Sequence, residues 1–450
     1  MNKKYYIAGF SALLLFIAFF VLIEVDLKKT STLNKLLNSI NNEQQYIKEA
    51  PEIKELKIKN VLDRTQDFKS FLREDPRVRR GTQQVYEELI FTDYVFCCNE
   101  ISWSELGNKP LGYIEVYKDY LIFVTGYGDI FTIKNSDLGI KENVFLNRKS
   151  TNIENIIKNK SIFDKEMDGI RGIDVFNNSL YISYMEKTDG CYSIHVLVGD
   201  LNNKEIEFKK FFEPLDCIDP TEEEFFAAAA GGGKIEITKN GSVYLTVGNF
   251  EAYDKSQNID SIFGKIIKII DLHNYEIISI GHRNPQGLSE VRNSNFLIST
   301  EHGPWGGDEV NLINKEKILN FGWPQASYGR HYEEIDNQKL KDIAPLMKPH
   351  KEYGFEEPIY WVDYSPFGIS DIIINYFSEK NNSFYLGTLN RNYIYKITFS
   401  NDFKEVTEIK SISTSNRLRD MTYDQKNKRY LVLYEQPPKL TVIEEIQKNE

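Results

Sequence analysis

From about residue 110 onward the chain repeats one hydropathy pattern. A strand-length run alternates apolar and polar residues, a turn of Asn, Asp, Lys, Gly or Ser follows, and a second run opens on an aromatic or aliphatic residue. It reads EVYKDYLIFVT from Glu115, DVFNNSLYISY from Asp174, EITKNGSVYLTV from Glu236, EVRNSNFLIST from Glu290, IIINYFSEKNNSFYLGT from Ile372 and TYDQKNKRYLVLYE from Thr422. Alternation of period two bounded by turn residues predicts hairpins, and Asn240-Gly241 is the strongest short turn signal among them. A further apolar strand follows most copies, as at Tyr192–Val198, Lys265–Asp271 and Tyr393–Phe399. Six such hairpins, spaced about 50–80 residues apart, predict an all-β fold: a six-bladed β-propeller over residues 111–445. A sandwich or a pair of β domains is the competing arrangement.

Upstream the texture differs. Tyr5–Ile23 (YYIAGFSALLLFIAFFVLI) carries no charge and matches the roughly 20 residues a helix needs to span a bilayer. Lys3 and Lys4 precede it, which favours a cytoplasmic amino terminus. Residues 1–25 therefore read as a transmembrane helix, a membrane anchor, with a cleaved signal peptide as the alternative. Residues 26–110 are polar, with Leu33, Leu36, Leu37 and Ile40 among apolar positions three and four apart, and read as a short helical stalk. This arrangement predicts a single-pass membrane protein whose propeller is periplasmic or extracellular.

Composition narrows the picture. A hydrophobic share of 41% supports a core, and an aromatic share of 13% leans toward strands. A formal charge of −11 argues against nucleic acid as a partner. Of the four cysteines, Cys97 and Cys98 are adjacent, while Cys191 and Cys217 flank one hairpin-like region. An oxidising compartment permits a bridge between the latter two, and no pair has metal-type C-x-x-C spacing.

Chemistry concentrates between the fourth and fifth hairpins. Gly281–Leu288 reads GHRNPQGL, Glu301–Asn311 reads EHGPWGGDEVN, and Asn320–Tyr332 reads NFGWPQASYGRHY. Turn residues here hold Arg, His and acids beside exposed backbone. Carbonyls with carboxylates are the hard oxygen ligands that Ca²⁺ takes. Arg283 with Asn284 suits an anion or a polarised carbonyl oxygen through charge-assisted bonds.

Together with SPFGIS at Ser365 and RLRD at Arg417, these stretches resemble the glucose/sorbosone dehydrogenase family over roughly Leu111 to Val442. The resemblance implies a six-bladed propeller that uses pyrroloquinoline quinone and Ca²⁺ to oxidise sugars. It assigns Arg283 and Asn284 to the quinone oxygens, and His302, beside the metal loop, to the cofactor site. It assigns Gly303 and Pro304 to the cofactor's Ca²⁺ through their carbonyls, and Arg417 and Arg419 to the cofactor carboxylates. Asp308, Glu309 and the carbonyl of Phe321 shape that loop or hold a second, structural Ca²⁺.

In the family a His accepts the sugar hydroxyl's proton, a few residues ahead of a Gly followed by a basic residue. Here the stretch is FFAAAAGGGKI from Phe225, and counting back from Gly233-Lys234 places Ala230 at that position. Asn390 likewise stands where the family tends to carry a Lys. Two readings follow. One is a membrane-anchored, catalytically degenerate propeller that binds a carbohydrate, a quinone cofactor, another small-molecule ligand or a partner. The alternative is an active quinone-dependent sugar dehydrogenase with a substitute base, His302 or Glu224.

Overall fold

Each predicted hairpin forms the two innermost strands of one four-stranded blade. The computed structural model describes residues 76–97, 112–157, 169–331, 338–346, 348–362, 367–414, 416–435 and 437–446. Blade 1 runs Gly112–Tyr117, Tyr120–Thr125, Ile130–Lys134, Asn143–Arg148, and blade 2 Ile170–Phe176, Ser179–Thr188, Cys191–Asp200, Phe208–Phe212. Blade 3 is Gly232–Ile237, Val243–Val247, Lys265–Ile269, Tyr275–Ile280, and blade 4 is Pro285–Glu290, Phe296–Glu301, Glu309–Asn314, Tyr360–Trp361. Blade 5 is Ile369–Ile374, Ser383–Thr388, Tyr393–Phe399, Val406–Ser413. Blade 6 takes three strands from the carboxyl-terminal part, Leu418–Asp424, Arg429–Tyr434 and Lys439–Glu445, and its outermost strand, Leu89–Cys97, from far upstream.

The innermost strands neighbour one another in a closed ring. Buried apolar side chains form a cluster between every pair of adjacent blades. Ile122 and Leu197 meet between blades 1 and 2, Val196 and Ile267 between 2 and 3, and Ile266 and Leu297 between 3 and 4. Val310 and Leu386 pack between blades 4 and 5, Tyr385 and Val432 between 5 and 6, and Leu433 and Phe123 close the ring. Both faces of each sheet are thus covered, so strand interiors read as near-continuous apolar runs such as Tyr120–Thr125 and Arg429–Tyr434.

The helical stalk expected over 26–110 is corrected at 77–97. Arg77–Tyr86 and Leu89–Cys97 are strands paired as a hairpin, and both join the propeller. Leu89–Cys97 pairs with Lys439–Glu445, while Arg77–Arg79 pair with the outermost strand of blade 1. The signal was present in VYEELIFTDYVFC, rich in aromatic and β-branched residues, but its turn at Glu87-Glu88 lacks Gly or Asn; Glu87 instead adopts φ +52°. The anchor Tyr5–Ile23 and the rest of the stalk lie outside the described residues. Among the described residues no helix is long and apolar enough to cross a membrane.

Candidate functional site

Residues at the start of the innermost strands, with the loops beside them, line one cavity of about 720 Å³. Tyr113 comes from blade 1, Arg171 from blade 2, Arg283, Asn284 and Gln286 from blade 4, Gly368 from blade 5, and Arg417 and Arg419 from blade 6. Blade 3 supplies the preceding loop, with Glu224 and Ala230, and the following one, with Glu251 and Tyr253. His302, Gly303, Pro304, Asp308 and Asn390 complete the wall. The motif stretches, separated along the chain, therefore converge. Glu309 and Phe321 do not reach the lining.

The guanidiniums in this wall are held by the protein. Arg283 donates from Nη1 to the Gly303 carbonyl at 3.0 Å and from Nη2 to Glu251, and its Cζ stands 5.6 Å from the centre of the Trp323 ring. Arg417 and Arg419 share Glu435, and Arg417 also donates to Asn390 Oδ1 at 2.9 Å. Burial pushes the Glu435 carboxyl up, but the two guanidiniums outweigh it and hold the group below the usual carboxylate range. Arg171 donates to the Ala228 carbonyl.

A buried chain fixes Arg283 from behind. Ser279 Oγ lies 2.7 Å from His282 Nε2, His282 Nδ1 lies 2.9 Å from Glu301 Oε1, and Glu301 Oε2 accepts the Arg283 backbone N–H at 2.8 Å. Ser, His and carboxylate stand in the order of a hydrolytic triad, yet Ser279 and His282 are wholly buried, so no substrate reaches the hydroxyl. Their work is to position the arginine.

The metal-type loop is organised by its own side chains. Asp308 accepts from the backbone N–H groups of Gly303 at 3.0 Å and Ile369 at 3.2 Å, and burial pushes its carboxyl up to about 6. A Cβ on Gly303 would sit 2.1 Å from the Gly306 carbonyl oxygen, so only glycine permits this turn. Glu309 pairs with His350 at 3.0 Å and takes the Asn311 amide at 3.3 Å, and the Phe321 ring packs against His282. Among the described residues no group of three or more His, Cys, Asp or Glu is placed to hold a metal ion.

The alanine loop is tightly seated. Ala228–Ala230 make one 3-10 turn, with Ala230 only 4% exposed. The next loop locks it: Phe250 N–H donates to the Ala230 carbonyl at 3.1 Å and Ala227 N–H to the Phe250 carbonyl at 2.8 Å. Gly248 makes this approach possible, since a Cβ there would lie 2.0 Å from the Ala230 oxygen. Phe250 and Glu251 pay for the contact in backbone strain, with φ +56° and +66°. The loop's root is pinned by the disulfide Cys191–Cys217, by reciprocal backbone bonds between Tyr192 and Ile218, and by Asp216, which accepts from Ser261 Oγ and Ile262 N–H at 2.9 Å.

Neither sequence-derived substitute base is well set. Burial, then Arg283, Arg419 and Arg417, depress His302 to about 3, and its Nε2 has no hydrogen-bond partner among the described residues. Glu224 is paired with Lys339 and stands at the exposed edge. Glu251, which the repeat pattern did not single out, is the carboxylate next to the Ala230 contact.

A second group of charges lies further along the innermost strands. Lys234 bridges Asp371 at 3.0 Å and Asp420 at 2.8 Å. Carboxylates reach across to the neighbouring strand: Asp420 accepts from Ile114 N–H, Asp174 from Ile237 N–H, Glu236 from Glu290 N–H and Asp371 from Met421 N–H. Glu115 accepts from Thr422 Oγ1 at 2.6 Å, and Glu290 is met by Lys315 at 3.0 Å. Burial pushes Glu115 and Glu236 up to about 8 and Asp371 up to about 7, and raises Asp174 well above its ordinary value. Lys234, flanked by two aspartates, stays charged despite burial.

Residues 143–442 match the family described as glucose/sorbosone dehydrogenase. The aldose sugar dehydrogenase YliI of Escherichia coli is 30% identical over 209 residues, covering 42% of this chain and 53% of that relative, so the chain spans about half of its length. A crystal structure titled glucose dehydrogenase superposes with a TM-score of 0.59 at 18% identity, over 77% of this chain and 99% of that one. The pyrroloquinoline-quinone-bound aldose sugar dehydrogenase of Streptomyces coelicolor gives 0.51 at 14%, over 76% and 95%. At these identities the superpositions speak to fold.

Proposed function

Because the chain belongs to the glucose/sorbosone dehydrogenase family, we propose that its cavity binds a carbohydrate and a quinone cofactor of the pyrroloquinoline quinone class, and that the standard oxidation chemistry has been lost. The alanine side of the cavity carries this reading. Ala230 stands where the proton acceptor is expected, Ala227 and Ala229 complete that wall, and none of them can take a proton. An alcohol that gives up hydride must also release its hydroxyl proton, and general-base help is worth about 100- to 10,000-fold. A conjugate acid at about 3 makes His302 a weak acceptor.

The donor set suits a carboxylate-bearing quinone. Arg283, Asn284 and the unpartnered His302 Nε2 would meet its oxygens, and Arg417 with Arg419 its carboxylates. The Pro304 carbonyl would hold Ca²⁺, together with the Gly303 carbonyl through the lone pair that Arg283 Nη1 leaves open. When bound, such a quinone supplies a two-electron acceptor. Asp308, Glu309 and Phe321 are left out of the proposed metal site, because Asp308 is taken by backbone donors, Glu309 by His350, and Phe321 lies off the lining.

A second reading rests on Glu251. Its carboxylate lines the cavity beside the Ala230 contact, and an active sugar dehydrogenase would use it as the proton acceptor. Titrating the purified chain with pyrroloquinoline quinone and Ca²⁺, followed by absorbance, and then adding aldose with a dye acceptor separates the two. Binding without turnover supports the first reading, robust turnover overturns it, and no spectral change removes the cofactor. The propeller's place outside the cytoplasm, behind an anchor at Tyr5–Ile23, belongs to this proposal. The Cys191–Cys217 disulfide supports it. A reporter fused after Glu450 should be active only outside the cytoplasm.

A further inference from the structure

A groove of about 430 Å³ adjoins the cavity, and Tyr253 lines both. Its walls come from the turn Tyr253–Gln257, from the helix Gln338–Ile343 with Pro345 beyond it, and from the turn His350–Tyr353, and Pro324 and Gln325 also line it. Tyr253 is a fixed partition: its ring is 5.6 Å from Phe225, edge on, and 5.5 Å from Trp323, and these residues sit over a buried cluster with Leu340 and Leu346. Tyr353 presents a second ring, with Lys348 Nζ 5.5 Å from its centre. Gln257 is spent on structure, donating to Asn320 and to the Trp323 carbonyl.

We infer that this groove holds the next sugar unit of an oligosaccharide whose first unit occupies the cavity. The inference rests on the reading that the cavity takes a carbohydrate. The chemistry of the lining points to a sugar with intact hydroxyls. Tyr253, Tyr353 and the prolines offer flat apolar surface to the C–H faces of a pyranose. Asp254 and Asp342 supply acceptors, and an ionised carboxylate accepts only. Asp342 uses Oδ1 for the Gln338 amide at 2.9 Å, one of about four lone-pair sites on the group. Among the described residues no Lys, Arg or His lines the groove itself. Lys255 beside it is set against Asp254 at 3.7 Å and Lys348 against the Tyr353 ring, so a neutral saccharide fits better than a uronate. Because Tyr253 lines both spaces they lie side by side, the arrangement that consecutive units of one chain-like ligand require.

Calorimetric titration of the full chain with glucose, maltotriose and cellotriose tests this. At least one trisaccharide should bind about tenfold more tightly than glucose, the gain expected from one added well-packed unit. Tyr353→Ala and Asp342→Asn should each remove that gain and leave glucose affinity unchanged, with thermal melting confirming that both variants fold; Asp342→Asn keeps shape if Tyr353→Ala does not. Glucose binding with no trisaccharide gain, or a gain untouched by both substitutions, overturns the groove alone. Failure of all three sugars to bind overturns the carbohydrate reading itself, and the groove with it.

Discussion

Glu251 and Arg283 form an ion pair in the cavity wall, the carboxylate carried on left-handed backbone and the arginine's backbone N–H held from behind by Glu301. The pair occupies the arginine that a quinone oxygen would need. Glu251→Gln should therefore tighten cofactor binding, by about tenfold if one charge-assisted bond is freed, in an absorbance titration with Ca²⁺ present. Turnover should be absent before and after the change. If the native chain oxidises aldoses and this variant loses at least about 100-fold, Glu251 is the base and the degenerate reading fails.

Restoring the missing groups should restore chemistry. Ala230→His supplies the proton acceptor, and Asn390→Lys replaces the amide that now meets Arg417 at 2.9 Å. The double variant should gain about 100- to 10,000-fold in dye reduction over the native background. No gain, in a variant that still binds cofactor, would show that the counted position of the base is wrong.

The carboxylates along the propeller axis predict a pH slope. Glu115 and Glu236 titrate at about 8 and Asp371 at about 7 in the folded chain, all raised above their unfolded values. Between about pH 4 and 8 these groups bind more protons in the folded state than in the unfolded one, so their contribution to stability falls as pH rises. Glu435, held low, acts in the opposite sense below that window. Burial depresses His195 to about 4, His302 to about 3 and Lys265 to about 7, which opposes the slope below about pH 6.5 and above about pH 7. With Asp174 and Asp308 also raised, the carboxylates outnumber them. The thermal midpoint should drop from pH 5 to 8.5, and Glu115→Gln with Glu236→Gln should flatten the decline. A midpoint that rises across this range would contradict the assignment.

The disulfide should carry both stability and loop order. Closing a separation of 26 residues is worth about 3–4 kcal/mol on chain-entropy grounds. Reduction, or Cys191→Ser with Cys217→Ser, should lower the melting temperature by several degrees and speed proteolysis between residues 213 and 231. Unchanged cleavage there would show that Asp216 and the Tyr192–Ile218 bonds suffice to hold the loop.

The six hairpins were legible because each pairs period-two alternation with a turn of definite chemistry. Lys118, Asn177 and Asn293 adopt positive φ at those turns, and Gly241 closes a three-residue turn after Thr238. The convergence of Arg283, Gly303 and Arg417 was legible only through motif resemblance, since no local period encodes which strand ends meet. Glu251 escaped notice because it sits in a non-repeating loop, and its importance comes from its ion pair with Arg283 and from the adjacent Phe250, whose N–H bonds the Ala230 carbonyl. The axial carboxylates were visible as letters, in Glu115, Asp174, Glu236 and Glu290, but solvent-facing and axis-facing acids look alike in a hairpin. Arg77–Cys97 was missed because its exposed first strand is polar almost throughout.

The upstream hairpin also settles how the ring resists coming apart. A circle of blades cut once is a split washer, weakest at the gap between its first and last members. Here Leu89–Cys97 is laid along blade 6, Arg77–Arg79 grip blade 1, and the Ile446 N–H reaches back to the Glu88 carbonyl. The gap is bolted from outside, so six blades become four separate blade sheets and one seam of nine strands that joins blades 6 and 1. Strip that bolt away and the last strand of the carboxyl-terminal part becomes a bare edge, with its backbone N–H and C=O groups open to any passing strand.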